Sequence, residues 1–208
     1  MTREELLKIA KPILFNTEMV RAIMDGRKTV TRRCVKTKSK NACGFNVIFR
    51  KSDNAFMGVY DHDENEMEFD SPQTQPAYPG DILYVRETWS DHYVPDEEGK
   101  PKLEYCYKAD GIDIKAECLP GENNRWYPSI HMPKEAARSF LKVTDVRVER
   151  LQEITDEQAE KEGLNDYTST ALGFCYLWDS TIKKSDLDTY GWNANPWVWV
   201  IEFERIEV

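Results

Sequence analysis

The chain has 208 residues, 40% of them hydrophobic and 12% aromatic, enough apolar side chain to bury a core despite 31% charged residues. The 28 Lys and Arg against 37 Asp and Glu give a formal net charge of −9, which argues against a nonspecific binder of long nucleic acid. No apolar run approaches the length of a membrane helix, and residues 1–11 lack the apolar core of a signal peptide. Five cysteines at wide spacings (Cys34, Cys43, Cys106, Cys118 and Cys175), without an export signal, predict free thiols in a reducing cytoplasm. They include no Cys-x-x-Cys pair, so neither a metal nor a cofactor is expected.

In chain order, residues 12–15 read as a short strand. Asn16 or Thr17 then caps a helix with Met19, Val20, Ile23 and Met24 on one face, and Gly26 ends it. A basic stretch follows where the helix stops and a loop is expected. It contains Arg27, Lys28, Arg32, Arg33, Lys36, Lys38 and Lys40 and no acid, whereas residues 61–70 are strongly acidic. A local basic stretch in an acidic chain suits a defined anionic ligand or a solvated loop. Residues 37–79 and 91–124 read as polar insertions with short strands at 47–50, 57–60 and 103–108. After the Pro79-Gly80-Asp81 turn, residues 82–89 read as one central strand with Leu83, Val85, Glu87 and Trp89 on one face. Residues 126–133 read as extended loop and 134–138 as a short helix at most. A long alternating strand is expected over 139–151, with Phe140, Lys142, Thr144, Val146 and Val148 on one side. Thr155 and Gln158 form a capping box for a helix that Gly163 ends, with Ile154 as its staple. A helix over 172–182 and a closing strand over 197–206 complete the chain. Strands and helices do not alternate regularly, so the fold class is α+β: a mixed β-barrel with flanking helices, in one domain over 1–208.

Several residues could carry chemistry. A helix end followed by a turn presents Arg27, Lys28, Arg32 and Arg33 together, and Arg grips anions with paired hydrogen bonds. A Lys crowded by cations has a lowered pKa and serves as base or nucleophile; otherwise Lys28 is one more solvated cation. Thr31 could orient its amine. Glu162, at the negative end of a helix, is placed to donate a proton, unless it is one more surface acid beside Glu157 and Glu160. Glu87 on an apolar face needs either a structural Arg partner or a ligand. Trp89 is either core or a base-stacking platform; Ser129 and His131 lie in a constrained, proline-flanked loop. No P-loop, Gly-x-Ser-x-Gly elbow or His-Glu-x-x-His is present.

Four segments resemble the ASCH domain family: Lys11-Pro12-Ile13-Leu14-Phe15, Gly26-Arg27-Lys28-Thr29-Val30-Thr31-Arg32-Arg33, Pro79-Gly80-Asp81 with its following strand to Trp89, and Trp197-Val198-Trp199-Val200-Ile201-Glu202-Phe203. With Pro128-Ser129-Ile130-His131-Met132-Pro133 and Asn195-Pro196-Trp197, the chain looks most like the long ASCH proteins of phages and prophages. The resemblance implies a PUA-like fold related to RNA-binding domains. Family members that hydrolyse the acyl amide of acetylcytidine carry a Lys, Thr and Glu that correspond to Lys28, Thr31 and Glu162. Others cleave or simply bind RNA. The implied partner is therefore RNA or a modified nucleoside, with Arg27, Arg32, Arg33, Glu87, Trp89, Ser129 and His131 around it. The resemblance implies an amidohydrolase acting on acylated cytidine, a ribonuclease-like enzyme, a noncatalytic RNA-binding module, or a phage protein-interaction scaffold.

Overall fold

A computed structural model describes residues 1–38, 42–62, 73, 75–114, 125–164 and 171–207. Lys40, Cys118 and most of the acidic run at 61–70 lie outside these residues. The class is α+β. Five strands form the main sheet in the order β1-β5-β8-β9-β2: β1 (Lys11–Leu14), β5 (Ile82–Arg86), β8 (Phe140–Arg150), β9 (Trp197–Ile206) and β2 (Val30–Cys34). Only β1 and β5 are parallel; the other pairs are antiparallel. Two hairpins complete the strands, β3 (Gly44–Phe49) with β4 (Phe56–His62) and β6 (Trp89–Pro95) with β7 (Pro101–Tyr107). The polar segments expected as insertions thus each contain a hairpin. Its apolar side packs on the sheet: Val59 against Trp199 and Val148, and Tyr107 with Trp89 against Phe140.

The helices are α1 (Arg3–Ile9), α2 (Thr17–Met24), α3 (Asp156–Lys161), α4 (Ala171–Thr181) and α5 (Leu187–Tyr190) among the described residues. Asn16 caps α2 by accepting from the Met19 amide at 2.9 Å. The Thr155 and Gln158 box caps α3 as its sequence predicts. Helix α1 is an addition to the sequence reading: Thr2 and Glu5 form its capping box and Leu6 is its one buried anchor. No helix among the described residues is long and apolar enough to cross a membrane. Cys34, Cys43 and Cys175 are free thiols, and the buried Cys106 thiol meets the Ser90 carbonyl.

One face of the sheet carries Ile13, Leu83, Val85, Leu141, Val143, Ile201 and Phe203 and buries Val20 and Ile23 of α2. The opposite face is covered at the β2–β9 end by Ile154, Ala159 of α3, and Phe174 and Trp178 of α4, which enclose Val30, Val198 and Val200. At the β5–β8 end, Leu6, Trp89, Tyr107 and Met132 enclose Tyr84 and Phe140.

The structure corrects three expectations. The barrel is not closed: among the described residues β1 and β2 are the two edges of the sheet, bridged by a side chain, with Arg33 Nη2 donating to the Leu14 carbonyl at 2.7 Å. The strand expected over 82–89 ends at Arg86, so Leu83 and Val85 share one core while Trp89 starts β6 and joins another. The long strand is real, but its register shifts between Val143 and Asp145. This bulge turns Val146 and Val148 to the side that Leu141 and Val143 occupy before it, so the simple alternation across 139–151 does not hold.

Gly163 sets how closely α3 approaches α2. Its φ is +89°, and a Cβ there would sit 2.7 Å from Ala22 Cβ and 2.8 Å from Lys28 Cβ. Gly163→Ala is therefore expected to lower stability by more than about 1 kcal/mol, read as a drop in the urea midpoint. Gly80→Ala, at φ +91° but with open space around it, is expected to cost less.

Candidate active site

The site begins where α2 ends. The amides of Arg27 and Lys28 both donate to the Ala22 carbonyl at 2.9 Å, which turns the chain back over α2. The Thr29 amide then donates to Lys161 O at 2.9 Å and its carbonyl accepts from the Phe203 amide at 2.9 Å. These bonds pin the Lys28 backbone between the end of α3 and β9, before β2 starts at Val30. The loop expected after the helix is thus brief, and Thr31, Arg32 and Arg33 lie on a strand. Strand geometry sends Arg32 to one face and Thr31 and Arg33 to the other.

Lys28, Arg32 and Glu162 form a buried ion cluster. Lys28 Nζ donates to Glu162 Oε2 at 2.5 Å and to the Glu162 carbonyl at 2.9 Å. Arg32 Nη1 donates to Glu162 Oε1 at 3.1 Å, and its Nη2 to Gln158 Oε1 at 2.7 Å and to Glu149 Oε2 at 3.5 Å. The side chains of Lys28 and Arg32 are 0% exposed and that of Glu162 is 3%. The Lys28 ammonium also stands 5.7 Å from the centre of the Phe15 ring.

Burial pushes the Lys28 pKa below its usual 10.5. Glu162 opposes that shift, and Arg33 and Arg32 add to it only as smaller contributions. The direction matches the sequence expectation, but the main cause is desolvation rather than crowding by cations. Glu162 also differs from its expectation: it is the shared acceptor of two cations rather than a lone carboxyl at a helix end.

Two spaces share Glu162 of the cluster in their walls. A cleft of about 270 Å³ is walled by Asn16, Glu18 and Met19 of the α2 start, by Arg27, by Glu162 and by Leu177 of α4. A recess of about 30 Å³ holds Thr31, Arg32, Arg33 and Glu162 against Phe174 and Trp178. Glu162, Met19 and Leu177 line both. Arg27 sits on the rim, donating to the Gly163 carbonyl at 2.9 Å and pairing with Asp25.

The structure thus brings Lys28, Thr31, Glu162, Arg27, Arg32 and Arg33 together. Glu87, Trp89, Ser129 and His131 line neither of these spaces. Glu87 is buried and takes a two-pronged pair from Arg138, Nε to Oε1 and Nη2 to Oε2, both at 2.9 Å. This answers the open choice for Glu87 with an Arg partner. Burial raises its pKa, and the Arg138 hydrogen bond and charge oppose the rise. Arg138 also lies 3.9 Å over the Tyr107 ring, and burial pushes the Tyr107 pKa up to about 12. Trp89 is buried and stacks on Tyr127 with ring centres 5.0 Å apart. Ser129 and His131 bound a single turn of 3-10 helix, with His131 exposed.

Gln158 and Glu149, the other partners of Arg32, escaped the sequence reading. Gln158 stands four residues before Glu162 on the same helical face, a spacing that places both beside one partner. Glu149 reaches Arg32 only because β8 and β2 flank β9. Among the described residues no cluster of His, Cys, Asp and Glu suited to a metal is present. Comparison with protein-family models, curated proteins and solved structures yields no match.

Glu162→Ala leaves two buried cations without their shared acceptor and is expected to cost about 3–5 kcal/mol, measured by urea unfolding. Lys28 supplies a pH test. With its folded-state pKa below 10.5, the native protein binds fewer protons than the unfolded chain between the two values, so stability gains as pH rises through that window. Relative to Lys28→Met, the wild type is expected to gain stability as pH rises toward 10.5; the opposite trend would mean that the pair holds the proton on Lys28 more tightly than water does.

Proposed function

We propose that this chain is an ASCH-type protein of PUA-like fold that takes a modified nucleoside into the cleft beside α2 and hydrolyses an acyl amide on its cytosine-like base. The observation that carries this reading is the buried contact of Lys28 with Glu162 at the wall of an open cleft, with Thr31 lining the adjoining recess. Burial lowers the Lys28 pKa, the direction that a base working near neutral pH requires. In this reading Lys28 Nζ takes a proton from a water as its oxygen bonds to the amide carbon. The proton crosses the 2.5 Å contact to Glu162 and passes to the leaving exocyclic nitrogen as the carbon–nitrogen bond breaks. A carboxylic acid and the free amine leave, and Lys28 and Glu162 regain their starting forms. Thr31 positions the attacking water, and Arg27 at the rim meets a negative group on the substrate. The thiols of Cys34, Cys43 and Cys175 suit a reducing compartment.

A second reading has an observation of its own. Arg32 occupies the other oxygen of Glu162, and Lys28 spends two hydrogen bonds on that same residue, as a structural lock would. On that reading the cleft binds RNA or a modified nucleoside without chemistry, through Arg27 and Arg33.

Chromatographic turnover of acetylcytidine and a panel of acylated cytosines separates the two. Hydrolysis by the wild type, falling at least 100-fold in Lys28→Met and Thr31→Val proteins shown to be folded, is the expected result. A folded wild type that releases no amine from any member, yet binds labelled RNA with steep salt dependence, would establish the noncatalytic reading instead.

A further inference from the structure

A third space, a cavity of about 390 Å³, lies between the two edge strands of the main sheet and shares Arg33 with the recess beside Glu162. Ile13, Ala77, Leu83 and Ile201 line it and are buried, while Pro12 and Leu14 line it and are exposed, so it opens at the surface beside β1. Its volume falls in the range of small-molecule sites. Arg33 is the charged residue of its wall.

Arg33 differs sharply from its neighbour Arg32. Arg32 meets Glu162 and Glu149, whereas no carboxylate of the described residues lies within ion-pairing distance of Arg33. Its guanidinium is half-buried, donates once to the Leu14 carbonyl at 2.7 Å, and stands 5.3 Å from the centre of the Phe15 ring. A guanidinium carries five donors, so most of its hydrogen-bonding capacity is left for something else. Burial lowers its pKa, with only partial relief from the charge of Glu162. An anion in the cavity would supply the counter-charge that no described residue places within ion-pairing distance. One cation in an apolar wall suits a monoanion; a phosphate dianion would keep a net charge away from water.

We infer that this cavity binds a small apolar or aromatic monocarboxylate, its carboxylate on Arg33 and its apolar body against Ile13, Leu83 and Ile201. Such a ligand would occupy the cavity whether or not Lys28 is catalytic.

Titration calorimetry of the full chain with phenylacetate, phenylacetamide and acetate tests it. Phenylacetate is expected to bind at least about tenfold more tightly than phenylacetamide, which lacks the charge, and than acetate, which lacks the apolar body. Arg33→Gln is expected to lose that tenfold preference while phenylacetamide binding stays unchanged. Leu14→Glu, at the exposed rim, places a carboxylate beside Arg33 and is expected to weaken phenylacetate binding to the same degree. It carries the test if Arg33→Gln does not fold. A folded wild type that does not bind phenylacetate, or binds it no better than phenylacetamide or acetate, overturns the inference; so does a folded Arg33→Gln that binds phenylacetate as the wild type does.

Discussion

Burying a lysine, an arginine and a glutamate together obliges the surrounding chain to satisfy every one of them. Each charge removed from water loses several kcal/mol of hydration, and their mutual attraction offsets this only when the remaining hydrogen-bonding groups are also paired. Here the Glu162 carbonyl takes a second bond from Lys28, and Gln158 and Glu149 take the far side of Arg32, whose buried Nε alone in the cluster is left without a partner. The cluster thereby ties together three pieces far apart in sequence: the turn after α2, strand β2 and the end of α3. Gly163 is part of the same constraint, because a side chain there would force Lys28 and Ala22 away from the helix end.

The cluster also continues across the sheet. Glu149 accepts from Arg147 as well as from Arg32, and Arg147 pairs further with Asp145 and Glu202 at 2.9 and 2.6 Å. Opposite charges thus alternate from Lys28 at the cleft to the partly exposed Arg147. This gives Arg32 a fixed orientation and keeps it on Glu162. Arg33, one residue further along β2, points the other way and meets no such partner among the described residues. The period of a strand therefore divides two adjacent arginines between a closed ion cluster and an open cavity.

Local signals carried much of the fold. The capping residues Asn16 and Thr155, the glycines at 26 and 163, and the two-residue alternation of β9 each act over a few residues, and each element stands where those signals put it. The bulge in β8 and the break after Arg86 were not legible. Both depend on what lies across the sheet, the first on the register with β9 and the second on the Trp89–Tyr127 backbone bridge that starts a new hairpin. Among the site residues, Lys28, Thr31 and Glu162 could be nominated from their types and flanking turns. That Glu87 belongs to Arg138 rather than to them could not, because nothing local links residues 87 and 138.

The sequence by itself determined where α2 and α3 begin and end, the class of the fold and the identity of the charged groups available, but not strand β2, which carries Thr31, Arg32 and Arg33. The tertiary structure alone decided which charges meet. Only folding brings residue 28 against residue 162, buries both, and makes desolvation the main influence on the Lys28 amine. It likewise decided that the two edges of the sheet stop short of pairing and leave an apolar cavity with Arg33 in its wall. The reason is physical: propensity and capping act within a few residues, whereas ion pairing, burial and sheet closure depend on distances between segments that the chain order does not contain.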